Sequence, residues 1–208
     1  MIDELYKDRM DRWWDAVGRI VARTGLTPNA VTWISLILAG GNAAFFIWHQ
    51  SLIAYGLMVA VIELLDNVDG AVARVTGASS KRGAYLDATT DRYKDVFILI
   101  ALGVVTHDWL PVTIALSGSL ITSYAAARAA MLGADEDGRK GLPDLFERLE
   151  RIGVLCVGMV ATPFCPLILG QTLLFWVLWF VAIMTQITAV QRFSRKLGQL
   201  AELEEDEK

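Results

Sequence analysis

Two histidines and two cysteines are the only imidazole and thiol ligands in this chain of 208 residues. Cys156 and Cys165 fall in or near one apolar segment, and His49 and His107 sit in short polar breaks elsewhere. No zinc-type ligand spacing and no disulfide framework can be drawn from them, so the cysteines read as packing residues. Charge is missing over longer stretches. Residues 31–62 contain no Asp, Glu, Lys or Arg, residues 96–127 contain only Asp108, and residues 152–191 contain none. Covering three such runs would need a soluble shell much larger than this chain provides, which excludes a water-soluble helical domain. An excess of positive charge is also missing. The net charge is −4, and nothing points to a nucleic-acid partner. The first 28 residues are charged and lack a long apolar core, so no secretory signal is expected there. There is no internal repeat, and the only biased segment is the acidic tail "AELEEDEK", expected to be solvated and frayed.

A helix needs about 20 apolar residues to cross the hydrocarbon core of a bilayer. The runs therefore predict an all-α integral membrane protein with six transmembrane helices, near 30–48, 52–73, 84–106, 110–132, 149–167 and 170–191. The breaks between them are His49-Gln50, the charged 74–82, His107-Asp108, the polar 133–148, and Pro163 to Pro166. All 19 Lys and Arg lie on or near one side of that layout. The turns near 49–51, 107–109 and 163–169 have none, so both termini are expected to be cytoplasmic. Residues 3–23 place Leu5, Met10, Trp13, Trp14, Val17, Ile20 and Val21 at roughly helical spacing between charges. That pattern predicts an N-terminal amphipathic helix lying on the membrane interface. Pro28 suits a first helical turn and Thr27 its cap. The expected organisation is an interfacial helix over 1–28, one six-helix catalytic domain over 29–192, and a cytoplasmic acidic tail over 193–208.

Against this background the segment 64–95 is out of place. It holds five aspartates (Asp66, Asp69, Asp87, Asp91 and Asp95) and five basic residues (Arg74, Lys81, Arg82, Arg92 and Lys94) between apolar runs. Asp66 and Asp69 are three apart near the end of the second span, and Asp87 and Asp91 four apart near the start of the third. Those spacings put each pair on one helix face. A short loop makes the helices antiparallel neighbours, so four carboxylates can converge at one depth just inside the cytoplasmic surface. Facing carboxylates in a low dielectric repel or take up protons unless a cation joins them. Oxygen-only ligands suit Mg²⁺, Mn²⁺ or Ca²⁺. The structural alternative is a boundary network in which the basic residues of the segment pair with the aspartates; ionisable groups inside spans are costly and more often functional. Gly70 and Gly83 leave room for a substrate beside the carboxylates. Arg74, two turns after Asp66, has a fork of donors suited to a phosphate. The residues alone thus point to a membrane enzyme acting on a phosphate ester or diphosphate at the cytoplasmic interface.

The segment reads Asp66-x2-Asp69-Gly70-x2-Ala73-Arg74-x8-Gly83-x3-Asp87-x3-Asp91. Without a gap, it resembles the signature of the CDP-alcohol phosphotransferase (CDP-alcohol phosphatidyltransferase) family. The six-span layout, the interfacial helix and the "TPN" before the first span are similar too. The resemblance implies an enzyme of phospholipid biosynthesis that displaces CMP from a CDP-linked lipid by the hydroxyl of a second alcohol, with Mg²⁺ (or Mn²⁺). It implies that Asp66, Asp69, Asp87 and Asp91 hold the metal and that Asp91 is the catalytic base. Asn29, Thr32, Asp69, Gly70, Arg74, Ser80 and Gly83 would contact the CDP donor. It further implies membrane lipids and a second copy of the chain as partners, in a multi-pass, inner-membrane homodimer with a cytoplasmic active site.

For the acceptor, "SYAAARA" and "FERLERIGVL" resemble segments that form a basic pocket in the phosphatidylinositol-phosphate synthase branch. Arg128, Arg148 and Arg151 match basic positions there, and Arg139 and Lys140 lie in the same loop. That branch usually has a Lys where Ala126 stands and an acid where Ala130 stands. The expected acceptor is a phosphorylated polyol of the inositol phosphate type. Glycerol 3-phosphate, as in the phosphatidylglycerophosphate synthase branch, is the alternative. The alternative from another class is a cation transporter with a carboxylate site, although such sites sit near the bilayer centre rather than beside a charged loop.

Overall fold

The computed structural model describes residues 13–134 and 145–206, and every described segment of regular structure is helical. We label the described helices α1 (13–22), α2 (Pro28–His49), α3 (Leu52–Thr76), α4 (Lys81–Thr106), α5 (Trp109–Met131), α6 (Arg148–Ala161) and α7 (Leu173–Asp206). Local chemistry sets their ends. Thr27 caps α2, its side chain accepting from the Ala30 N–H at 3.2 Å, with Pro28 in the first turn. Ser51 caps α3 in the same way through Ala54. Gly77, with φ of 64°, ends α3 in the left-handed conformation that glycine adopts without strain. Ser80 then accepts from the Gly83 N–H at 3.0 Å and starts α4.

The chain divides into two compact units, Met1–Ile98 and Leu99–Lys208. In the first unit α2 and α3 form an antiparallel pair. Val31, Val68 and Val72 make a small core, and Trp14, Val17, Val21 and Ala22 of α1 pack onto it. The inner face of α1 is thus covered by protein, while Trp13 and Ile20 stay exposed. A Cβ on Gly18 would stand 2.8 Å from the Ala71 carbonyl carbon, so only glycine lets α1 seat on α3 at this distance. The part of the expected interfacial helix before Trp13, including Leu5 and Met10, lies outside the described residues.

In the second unit α5 and α6 each pack on α7. Leu155 and Met159 meet a fully buried row from Leu174, Leu178 and Val181, and Val112 and Ala115 of α5 are buried as well. Small residues set the spacing. A Cβ on Gly118 would stand 3.0 Å from Thr185, and one on Gly158 only 2.8 Å from Val177. Gln186 ties α7 to α5 through the Ile114 carbonyl (2.8 Å) and Ser117 (3.0 Å).

Three helices, Pro28–His49, Trp109–Met131 and Leu173–Glu205, are long and apolar enough to cross a membrane. Their outer residues are bare hydrophobics such as Ile37, Trp48, Leu120 and Val190. Such a surface suits lipid rather than water, and the chain is an integral membrane protein. Two helices differ from the expected spans. The span predicted to 167 stops as α6 at Ala161, because Pro163 cannot continue the ladder and a 3-10 turn, Thr162–Phe164, takes over. The tail expected to fray is instead helical through Asp206 as part of α7.

Candidate active site in the first unit

The charged segment maps onto the C-terminal half of α3 and the N-terminal half of α4. Thr32 and Ser35, three apart on α2, face Asp66 and Asp69, three apart on α3. The Thr32 hydroxyl donates to Asp69 Oδ2 at 2.5 Å, and the Ser35 hydroxyl donates to Asp66 Oδ1 at 2.7 Å. Each carboxylate is thereby oriented by a neighbouring helix. Asp69 is 6% exposed and Ser35 fully buried. On α4, Asp87 and Asp91 are followed on the same face by Lys94, whose side chain is fully buried. The Lys94 ammonium is hydrogen-bonded to Asp66 Oδ1 and lies 3.6 Å from Asp91 Oδ1. Asp95 is also buried, with Arg92 at 3.9 Å.

A cavity of about 300 Å³ opens beside these groups. Asn29 and Thr32 line it from α2. Asp69, Gly70 and Arg74 line it from α3. Ser80, Gly83 and Asp87 close it from the loop and α4. All seven residues expected to contact the CDP donor therefore share one wall system. Glycine matters at one of them: a Cβ on Gly83 would stand 3.3 Å from both Asn29 Oδ1 and Ser80 Oγ, crowding the polar rim. Arg74 is half-exposed, and its Nε donates to Asp15 of α1 at 3.2 Å. An exposed pair of this kind contributes only about 0–1 kcal/mol, so Asp15 aims the guanidinium without locking it away from a ligand.

The four signature aspartates are thus brought to one region but divided. Asp69 and Asp87 share the cavity, while Asp66 and Asp91 share Lys94. Asp66 and Asp87 both act through space on the charge of Asp69. Among the described residues no group of three His, Cys, Asp or Glu side chains is gathered closely enough to hold a metal ion. The donor chemistry nevertheless fits a hard divalent cation: the groups are carboxylate oxygens, braced by hydroxyls, next to a guanidinium and a glycine-widened space. Sequence reasoning did not single out Ser35, and it named Lys94 only as one of five basic residues that could pair with the aspartates, a pairing that Lys94 makes with Asp66 and Asp91. Both had a signal: Ser35 follows Thr32 by three residues, and Lys94 follows Asp91 by three and Asp87 by seven.

In the second unit, Arg128 is exposed near the end of α5, Arg148 is half-buried at the first position of α6, and Arg151 is buried three residues later. Arg139 and Lys140 lie outside the described residues. His49 ends α2 and stacks on Phe45 at 5.1 Å, and His107 forms the turn before α5 with φ of 62°. Both cysteines are free thiols.

A carboxylate-rich site beside a cavity walled by an arginine, in a chain with helices of membrane-crossing length, is chemistry suited to lipid-linked phosphates. The sequence matches the CDP-alcohol phosphatidyltransferase family over residues 25–190, and the chain belongs to that family. It is a CDP-alcohol phosphotransferase, a transferase of phospholipid biosynthesis, and the cation-transporter alternative is not favoured. It is 35% identical to the archaetidylinositol phosphate synthase of Pyrococcus horikoshii over 180 residues, spanning 86% of this chain and 87% of the relative. It is 32% identical to the phosphatidylinositol phosphate synthase of Mycobacterium bovis, over 85% of this chain and 82% of the relative. The crystal structure of the Mycobacterium tuberculosis phosphatidylinositol phosphate synthase with CDP-DAG bound superposes with a TM-score of 0.75 at 30% identity, covering 89% of this chain and 94% of that one. The same enzyme in complex with manganese and citrate gives a TM-score of 0.77 at 30% identity, with 88% of each chain covered.

Proposed function

We propose that this chain transfers a lipid-linked phosphoryl group from a CDP-lipid to an inositol phosphate, making an inositol-phosphate phospholipid. The observation that carries the reading is the first-unit cavity, whose walls hold all seven donor residues implied by the signature. Arg74 and the polar rim of Asn29 and Ser80 suit the diphosphate and the cytidine. The named relatives support the acceptor, since two kinds of inositol phosphate synthase, archaetidyl and phosphatidyl, are about equally similar to this chain. Arg128, Arg148 and Arg151 supply positive charge for the acceptor's phosphate.

In this reading Asp66, Asp69, Asp87 and Asp91 are the metal-facing carboxylates, and the ion is Mg²⁺ or Mn²⁺. When bound, the ion supplies charge neutralisation for the diphosphate and the departing CMP. Thr32 and Ser35 hold Asp69 and Asp66 in orientation, and Arg74 positions the donor phosphates. Asp91 takes the proton from the acceptor hydroxyl. The hydroxyl oxygen forms a bond to the lipid-side phosphorus, the bond from that phosphorus to the bridging oxygen breaks, and CMP leaves with the electron pair. In this reading six crossings complete the fold: α3, α4, and α6 together with the 3-10 turn that extends it join the three more apolar helices. Residues 29–192 form the catalytic domain, α1 rests on the interface, both termini face the cytoplasm, and two copies form a homodimer in the inner membrane.

The test is CMP release by purified protein in detergent. CDP-diacylglycerol and CDP-archaeol are each offered with inositol phosphate, glycerol 3-phosphate, inositol or serine. Release with inositol phosphate, stopped by EDTA, is expected. Release with glycerol 3-phosphate alone would reassign the acceptor, and the better donor names the lipid chemistry.

A further inference from the structure

Asp15 lies outside the signature, yet it touches the arginine that the signature gives to the donor. Its Oδ1 accepts from Arg74 Nε at 3.2 Å, and both side chains are partly exposed. A carboxylate this near an anion site repels an incoming diphosphate, and an exposed pair adds little to stability, so stability does not explain its place. What the pair does is divide the guanidinium. Nε is occupied on the α1 side, while Nη1 stands over Gly70 on the cavity wall, 3.6 Å from where a Cβ there would lie. The Nη edge of the fork is left for a phosphate.

A second contact fixes α1 in that register. Asp15 and Gly18 are three apart on α1, and Ala71 and Arg74 are three apart on α3, so each pair shares a helix face. Gly18 seats on the Ala71 backbone so closely that a Cβ would stand 2.8 Å from its carbonyl carbon. Trp14, Val17 and Val21 pack beside it onto the core of Val31, Val68 and Val72. The two contacts, one turn apart, hold Asp15 opposite Arg74.

We propose that Asp15 is a positioning residue for the donor, and that α1 is thereby a working part of the donor site. The seat of Gly18 on Ala71 places the Asp15 carboxylate, and the carboxylate aims the Nη edge of Arg74 at the donor diphosphate. Asp15 acts through Arg74 and not on the donor. The inference rests on the reading that Arg74 holds the donor phosphates.

The experiment is calorimetric binding of CDP-diacylglycerol to the purified full chain in detergent with Mg²⁺ and no acceptor, with initial rates measured beside it. Where binding is too weak for calorimetry, kcat/KM for the donor is read instead. Asp15→Asn should weaken donor binding about three- to fivefold, the range of a coupling between exposed charges. The donor KM should rise by the same factor, with kcat and the acceptor KM unchanged. Asp15→Glu, which keeps the charge, should restore most of the affinity. On an Arg74→Ala background Asp15→Asn should have no effect, because a residue that acts through another is silent once that group is gone. Gly18→Ala, which lifts α1 from Ala71, should weaken binding as Asp15→Asn does and add nothing to it. Unchanged or tighter binding by Asp15→Asn, or a loss that persists on Arg74→Ala, overturns the role of Asp15. Full affinity in a folded Gly18→Ala overturns the part given to α1. Full affinity in Arg74→Ala overturns instead the donor role of Arg74. If Gly18→Ala does not fold, the cycle between Asp15 and Arg74 decides.

Discussion

The two units of this protein differ in where their hydroxyls find carboxylate partners. In the first unit hydroxyls and charges reach across helices: Thr32 to Asp69, Ser35 to Asp66, Lys94 to Asp66. In the second, the buried hydroxyls mostly turn back on their own helix, as Thr185 does to Val181 and Ala182, Thr162 to Gly158 and Thr122 to Gly118. The cores differ to match. Leu155, Met159, Leu174 and Leu178 fill the second, whereas in the first Phe46 and Tyr55 are buried at one end and small residues such as Ala71, Val68 and Val72 near the carboxylates. A hydroxyl that satisfies its own backbone is chemically silent and allows close packing. One that holds a carboxylate on another helix fixes a functional geometry and couples two elements. The contrast separates a unit whose hydroxyls hold carboxylates on other helices from one whose hydroxyls mostly stay on their own helix.

That contrast can be broken by mutation. Asp91→Asn, the largest expected effect, should lower CMP release about a thousandfold, the order of general-base catalysis. Binding of the CDP-lipid, measured separately by calorimetry, should survive. Thr32→Val should reduce metal affinity or turnover by about 10–100-fold, because it removes a group that orients a ligand. Mn²⁺ titration and initial rates check this. Gly158→Ala should lower thermal stability by about 1–3 kcal/mol, since Val177 is too stiff and too close to accept a Cβ. Activity per folded molecule should hold, and a loss of specific activity would blur the boundary between the halves. Arg128→Ala should raise the acceptor KM about tenfold, the order of one charge-assisted contact, with the donor KM unchanged. The smallest effect is expected for Thr185→Val, within about 1 kcal/mol of wild type in an unfolding assay. A change as large as that of Thr32→Val would erase the distinction between silent and functional hydroxyls.

Much of the first unit was legible in the sequence because each decisive signal was local. Apolar runs and the breaks at His49-Gln50 and the charged 74–82 placed α2 and α3 within a few residues, and spacings of three and four placed the aspartates on two helix faces. The end of α6 was harder to read. Apolar composition continues past Ala161, and only Pro163 and Pro166 mark the stop. The tail misled in the other direction. "AELEEDEK" looks like a solvated charge run, but Ala, Leu and Glu are strong helix formers, and nothing in it breaks the helix begun at Leu173. The division of the four aspartates by Lys94 was not legible. Face and depth follow from spacing, but which cation a carboxylate chooses depends on side-chain reach between helices.

The length of α7 carries a mechanical consequence. Its 34 residues rise about 51 Å at 1.5 Å each, against a hydrocarbon layer about 30 Å thick. A helix that crosses the layer and continues unbroken must stand about 20 Å clear of it, ending in Glu202, Glu204, Glu205 and Asp206. The acidic turns through Asp206 are therefore carried on a rigid rod that continues the span, and not on a loose thread. The basic turn at Arg192, Arg195 and Lys196 and the acidic turn beyond it are held at fixed heights along that rod.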